Sequence, residues 1–231
     1  MFQFKQFTIQ QDRTPMKVGT DGVLLGVWAE LKNARTILDI GTGTGLIAIM
    51  AAQRNPLARI DAIEIESNAF EQAQENVIAS PWHERIQVIQ TSLQNYFPSK
   101  KYDSIVCNPP FFVHSTHNPN QGRTLARHSD TLPHTELITH AIRLLKPEGN
   151  LSIILPVAEA IKFIDHAART KLYPVYITRV LPNPDKAPKR YLIQFKTTQI
   201  PLVEDELVVE LSRHQYSEAY VGLTKEFYLF H

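Results

Sequence analysis

Thr36-Ile37-Leu38-Asp39-Ile40-Gly41-Thr42-Gly43-Thr44-Gly45 is the stretch whose reading decides the fold. Residues 37–40 form a short apolar run that reads as a strand buried on both faces. The run breaks into alternating glycines, and Leu46-Ile47-Ala48-Ile49-Met50-Ala51-Ala52-Gln53 then reads as a helix packed on a sheet. Glycines at such a turn let the backbone take positive φ and approach a ligand closely. They also leave the first amides of the next helix pointing at whatever lies above the strand. A doubly wound α/β sheet opens its nucleotide site in this way, at the carboxyl end of its first strand. The spacing narrows the ligand. A dinucleotide fingerprint carries its third glycine three residues after the second; here Gly41, Gly43 and Gly45 alternate, and Leu46 stands where that third glycine would fall. No pyrophosphate is expected on this helix.

Working outward, a chain of 231 residues suits one α/β domain over 1–231, with residues 1–30 as an N-terminal extension. Lys and Arg number 24 against 23 Asp and Glu, a net charge of +1, so no overall basic field announces a nucleic-acid partner. Any such binding must come from a local patch. A single cysteine, Cys107, excludes an intramolecular disulfide or a thiolate zinc cluster, and it reads as a plain buried strand residue. His114, His117, His128 and His134 do not fall at metal-ligand spacings, and no metal is expected. Met1-Phe2-Gln3-Phe4-Lys5 carries no signal-peptide pattern, and no apolar run approaches the length of a membrane span. The expected location is the cytoplasm.

On the amino-terminal side, residues 2–10 alternate as a strand does, with a slip between Phe4 and Phe7. Met16-Lys17-Val18-Gly19-Thr20-Asp21-Gly22 then precedes an amphipathic segment over 23–31, for which Thr20 or Asp21 is the candidate cap. On the carboxyl-terminal side, residues 59–63 read as the second strand, closed by Glu64-Ile65-Glu66. Glu64 lies about 20 residues beyond the loop, the interval at which an acid meets a ribose in these sheets. Two vicinal hydroxyls donate to one carboxylate, which explains an acid there; Glu66 instead suits a helix cap for 68–78. Residues 86–89 form a third strand, ending at Thr91-Ser92-Leu93.

Residues 102–107 form the fourth strand, followed directly by Asn108-Pro109-Pro110-Phe111. Strand order in a doubly wound sheet sets the ends of its first and fourth strands side by side, which brings this loop beside the glycines. The Asn108 side-chain oxygen and the Pro109 carbonyl offer two acceptors, and prolines supply no competing N–H. Two acceptors aimed at the two hydrogens of a planar amino group pull its nitrogen toward a tetrahedral shape and free the lone pair. Phe111 offers a face for a base to stack on, worth roughly 1–3 kcal/mol in nucleic-acid sites. The pattern identifies a planar nitrogen: an adenine amino group, a guanine amino group and a glutamine amide all satisfy it.

Residues 114–121 read as a polar loop, a candidate lid beside the reactive loop. Arg123, Arg127 and His128 follow, facing either phosphate or solvent. A helix over 137–145, a fifth strand over 151–155 and a helix over 158–169 come next. Residues 176–180 and 191–196 then read as a hairpin forming an antiparallel edge. Its proline-rich tip carries Lys186, Lys189 and Arg190, either an RNA-backbone contact or a solvated turn. Tyr216, Tyr220, Phe227, Tyr228 and Phe230 read as packing.

With the glycine loop, Glu64 and Asn108-Pro109-Pro110-Phe111 in place, the sequence resembles the S-adenosylmethionine-dependent methyltransferases of the adenine-N6 and glutamine-N5 type. That resemblance implies a Rossmann-like class I fold, a mostly parallel seven-stranded sheet with an antiparallel C-terminal hairpin, and S-adenosylmethionine as cofactor. Met16-Lys17-Val18-Gly19-Thr20-Asp21-Gly22, Asn108-Pro109-Pro110-Phe111-Phe112, Ala126-Arg127-His128 and Pro188-Lys189-Arg190-Tyr191 narrow it. Together they look like the bacterial valine-tRNA (adenine-N6)-methyltransferases, which modify the adenosine just 3′ of the anticodon; the implied partner is valine tRNA. The implied cofactor contacts are Lys17 and Thr20 at the methionine end, Asp39, Gly41, Gly43 and Gly45 in the loop, Glu64 on the ribose, and Asn108. Ser92 and Leu93 fall on the adenine side, where Ser92 replaces the acid usual in such enzymes. Asn108, Pro109, Pro110 and Phe111 are the implied catalytic loop, acting on a base that is flipped or already unstacked. A protein glutamine methyltransferase, or one acting on an amino group of another RNA, is the alternative. A non-enzymatic RNA chaperone fits poorly with an intact reactive loop.

Overall fold

The computed structural model describes residues 1–14, 16–110 and 132–229. After a short antiparallel pair, β1 (Phe2–Gln3) and β2 (Thr8–Ile9), come α1 (Thr20–Trp28), β3 (Thr36–Ile40), α2 (Leu46–Arg54), β4 (Arg59–Glu64), α3 (Ser67–Ile78), β5 (Ile86–Gln90) and β6 (Tyr102–Cys107). Beyond residue 131 come α4 (His134–Leu144), β7 (Leu145–Pro156), α5 (Val157–Ala167), β8 (Tyr173–Leu181), β9 (Arg190–Lys196) and β10 (Val203–Val208). A second small pair, β11 (Glu210–Ser212) and β12 (Gln215–Tyr216), precedes α6 (Glu218–Thr224).

Among the described residues the main sheet has eight strands in the order β10-β8-β9-β7-β6-β3-β4-β5. Of these, β9 runs against its neighbours, β7 and β8; the other pairs are parallel. Successive residues of β3 serve opposite faces: Ile37 falls in one core cluster with Leu24, Ile49 and Met50, and Leu38 in the other with Ile105, Phe163 and Phe195. This two-sided burial is why the stretch reads as an unbroken apolar run. Gly26 lets α1 lie close on α2, since a Cβ there would stand 2.6 Å from the Met50 sulfur.

Several local expectations change. The slip in alternation between Phe4 and Phe7 is a turn: the Phe4 N–H donates to the Phe7 carbonyl at 2.9 Å, and the two rings stack at 4.6 Å. Helix α1 starts at Thr20 behind Gly19, and no side chain caps it, so neither Thr20 nor Asp21 is a cap. It is buried continuously from Gly22 to Val27 rather than amphipathic, because a sheet and a second helix both cover it. The expected hairpin is β8–β9, but it is not the sheet edge. Strand β9 inserts between β7 and β8, and β10 pairs with the outer side of β8. This eighth strand adds to the seven expected; its exposed Val203-Glu204-Asp205-Glu206 shows no buried face to betray it. Tyr220 and Phe227 are buried in packing as expected, but Tyr216 is exposed, stacked on Tyr220 at 5.2 Å, and Phe230 lies outside the described residues.

Two registers set the working end of the sheet. Ile40 of β3 lies beside Cys107 of β6, so the turns after both strands are neighbours. Pro156 at the end of β7 lies beside Arg190, which places the β8–β9 tip on the same rim.

Candidate active site

The turn after β3 is built by its glycines. Gly41, Gly43 and Gly45 have φ of 67°, 56° and 81°, a region that L side chains enter only with strain. The Gly41 and Thr42 N–H groups donate to the Ile63 carbonyl at 2.9 and 3.0 Å, folding the loop back over β4. A Cβ on Gly41 or Gly43 would meet none of the described residues within 4 Å, so this face of the loop is open toward them, as a ligand cradle must be.

Asp39 braces the loop from beneath. Its Oδ2 accepts from Thr42 Oγ1 at 2.6 Å and from the Ala48 N–H at 3.1 Å. Its Oδ1 is buried with no partner among the described residues. Burial pushes the Asp39 carboxyl up to about 7, against the hydrogen bonds from Thr42 and Ala48; nearby Glu64 adds to the rise.

Glu64 ends β4 with its carboxylate pinned by three backbone donors. Oε2 accepts from the Gly43 N–H at 2.9 Å, and Oε1 from the Ile65 and Glu66 N–H groups at 2.9 and 3.0 Å. A carboxylate offers about four acceptor positions, so the group is oriented while still able to take a hydroxyl. Glu66 does the separate job expected of it, capping α3 through the Ala69 N–H at 2.7 Å. Between them, Ile65 is 67% exposed. Sequence reading passed over it; its signal is an apolar residue set between two acids where the chain leaves the sheet.

The neighbouring turn is tied in by the Thr91 N–H, which donates to the Glu64 carbonyl at 2.9 Å. Ser92 Oγ accepts from the Asn95 N–H at 3.2 Å and so shapes this turn, while Leu93 is buried in the core. Across the loop, Asn108 follows β6 with its Oδ1 buried and unpartnered among the described residues. Pro109 behind it is buried and Pro110 exposed.

The N-terminal segment is fastened to the same rim. The Gln10 N–H donates to Asn76 Oδ1 at 2.8 Å, and Asn76 Nδ2 donates to both the Gln10 and Thr44 carbonyls at 2.8 Å. One buried side chain thereby joins the extension to the glycine loop. Lys17 and Thr20 lie exposed on the stretch that follows. Lys186 and Lys189 are exposed at the β8–β9 tip, but Arg190 is not a free tip cation. Its Nε donates to Asp21 Oδ2 at 2.7 Å, which locks the tip to the first turn of α1. Phe111, Arg123, Arg127, His128 and the lid stretch 114–121 lie outside the described residues. Among the described residues no three His, Cys, Asp or Glu side chains come together as metal ligands, and no helix is long and apolar enough to cross a membrane.

Residues 18–164 match the family model for the methyltransferase small domain. A tRNA1(Val) (adenine(37)-N6)-methyltransferase of Parabacteroides distasonis is 49% identical over 231 residues, spanning 99% of this chain and 97% of that protein. The chain belongs to this family. A tRNA1(Val) (adenine(37)-N6)-methyltransferase of Trichodesmium erythraeum, at 44% identity over 99% of this chain and 97% of its own, belongs with it. Among solved structures, a predicted O-methyltransferase of Agrobacterium tumefaciens superposes with a TM-score of 0.70 at 19% identity, covering 90% of this chain and 96% of that one. A ribosomal protein L11 methylase of Lactobacillus delbrueckii gives 0.54 at 19% identity, covering 77% of each chain. The fold of this tRNA methyltransferase family member is that of the class I S-adenosylmethionine-dependent methyltransferases.

Proposed function

We propose that this chain transfers the methyl group of S-adenosylmethionine to the exocyclic N6 of the adenosine just 3′ of the anticodon in valine tRNA. It does so in the cytoplasm, as one domain over 1–231 whose residues 1–30 help to form the cofactor and substrate site. The observation that carries the reading is the Asn108 side-chain oxygen: a buried acceptor with no partner among the described residues, held at the strand end beside an open glycine cradle. Buried acceptors are nearly always satisfied, so an orphan at this place is poised for a donor that arrives with the substrate.

The residues present fit the cofactor. Glu64, already oriented by three N–H groups, receives the ribose hydroxyls. Exposed Ile65 covers an apolar ring face beside it, and the turn at Ser92 and Leu93 borders the ring edge through its backbone groups. Gly41, Gly43 and Gly45 give the backbone room to approach, with Asp39 bracing them from beneath. Thr20 and Lys17 hold the methionine end, Lys17 through its carboxylate. The bound cofactor supplies a sulfonium methyl that is already activated for attack.

The chain's own contribution is then positioning and pre-organised charge. Asn108 Oδ1 and the Pro109 carbonyl accept the two hydrogens of the amino group, Asn108 also bordering the cofactor, and Pro110 stiffens the turn. Phe111 stacks on the unstacked base. Lys186 and Lys189, with Arg123, Arg127 and His128, meet backbone phosphates, while Arg190 acts by tying the tip to α1. The test is transfer of labelled methyl from S-adenosylmethionine into separate pools of unmodified tRNA, ribosomal RNA and protein, with nucleoside digestion. N6-methyladenosine in valine tRNA is the expected product. Label in protein alone would hand the reactive loop to a glutamine amide and overturn the RNA assignment.

A further inference from the structure

A second cavity, of about 310 Å³, opens beside the Asp21–Arg190 ion pair, between the start of α1, the β8–β9 tip and the turn into β11. Ligand pockets begin at about this size. Leu24, Val180, Pro182 and Val209 line it with apolar surface. Glu210 supplies a half-buried carboxylate that has no donor among the described residues. That residue is held firmly by its backbone: the Glu210 N–H donates to the Pro182 carbonyl at 3.0 Å, and the preceding Val209 N–H to the Leu181 carbonyl at 2.9 Å. Lys189 stands exposed at the edge.

The registers locate the cavity relative to the reactive loop. Asn108 extends β6; β7 and β9 follow across the sheet, and Arg190 of β9 pairs with Val180 of β8. Two strand spacings, about 10 Å, separate the β6 and β9 ends on this shared rim. The cavity is therefore too far from Asn108 to hold the reacting base, and near enough for a nucleotide close to it in the chain.

We infer that this cavity is a subsite for a second, unstacked base of the substrate RNA, one that presents amino or ring N–H donors to Glu210. The inference rests on the RNA reading above. Single-stranded RNA loops are recognised by splaying bases out and reading their edges. Apolar walls suit the two faces of a base. A carboxylate accepts from amino donors on a base edge and repels phosphate, so Glu210 favours a base edge over the backbone, whose charge falls to Lys189 at the rim. The subsite lets the protein choose its tRNA by a base it does not modify.

The test uses full-length unmodified valine-tRNA transcripts with one anticodon-loop base at a time, other than the target, made abasic. Affinity and methyl transfer are measured for the wild type and for Glu210→Gln, a change of similar shape at a half-exposed site. Removal of one particular base should weaken wild-type binding about tenfold, and Glu210→Gln should weaken intact tRNA by a similar factor. S-adenosylmethionine affinity should stay unchanged in the variant. Combining the variant with that abasic tRNA should cost no more than either change alone. Multiplying losses, or intact tRNA bound as tightly by Glu210→Gln as by wild type, would overturn the subsite while leaving the enzyme's function standing. Failure of the wild type to methylate any valine tRNA would overturn the proposed function and the subsite with it.

Discussion

Replacing Asn108 by Ala separates catalysis from folding in an unusual direction. The Asn108 side-chain oxygen is buried and takes no hydrogen bond among the described residues. An unmade hydrogen bond at a buried acceptor costs about 1–3 kcal/mol, so truncation removes a folding penalty together with the reactive group. Against this stands the weaker packing around a truncated, half-buried carboxamide, on the order of 1 kcal/mol or less. The variant should be as stable as the wild type or up to about 2 kcal/mol more so. In a chain of this length that is a rise in Tm of about 2–4 °C per kcal/mol. The same change removes the acceptor proposed for the amino hydrogens of the target, and one pre-organised partner of this kind contributes about 10²–10³ in kcat. Thermal melting, calorimetric titration with S-adenosylmethionine and single-turnover methyl transfer to tRNA measure the three quantities separately. The expected result is unchanged or raised Tm, cofactor affinity within a few-fold, and transfer reduced at least a hundredfold, roughly the loss of one such partner. Transfer within a few-fold of wild type would refute Asn108 as the acceptor. A fall in Tm accompanied by matching losses of cofactor binding would show it to be a structural brace.

Glu64→Gln sets an NH₂ against one of the three backbone N–H groups that hold this carboxylate; S-adenosylmethionine affinity measured by calorimetry should fall at least tenfold. Asp39 has its carboxyl raised from 3.8 to about 7 by burial; its stability contribution is therefore full below pH about 4 and lost as pH climbs through about 7. Asp39→Asn, which can keep both accepted hydrogen bonds, should gain on the wild type as pH rises, by up to about 4 kcal/mol at pH 8 in urea unfolding; equal stability differences at pH 5 and pH 8 would disprove the raised carboxyl. Lys186→Ala with Lys189→Ala should weaken tRNA binding and lower its salt slope by about 1 for each phosphate no longer neutralised, with cofactor affinity unmoved. Arg190→Ala should disturb both ligands, because the ion pair it breaks anchors α1 beneath Thr20 and Lys17.

The contrast between Lys186 and Arg190 shows where sequence reasoning reaches and where it stops. The strand at residues 37–40, the glycine turn and the strand ends that carry Glu64 and Asn108 were legible because each is set within a contiguous stretch of chain. There, local backbone demands and local chemistry select the residue together. Glu66 was legible as a cap for the same reason, its partner being the Ala69 amide within the next turn. Arg190 was not, since its partner Asp21 is 169 positions away and nothing in a lysine- and proline-rich tip distinguishes a tethered cation from a free one. The buried Asp61, which accepts from Tyr96 and Tyr102 and pairs with Lys100, was hidden likewise, because its partners reach it only through strand order. Strand β10 was missed by a different route: a parallel edge strand exposed on both faces over residues 203–206 carries no period for a pattern to find. Its pairing with β8 nonetheless sets Val209 and Glu210 against Leu181 and Pro182, and so builds the wall of the second cavity. The chemistry proposed for methyl transfer thus rests on residues set locally along the chain. The proposed base subsite rests instead on contacts that exist only once distant segments have folded together.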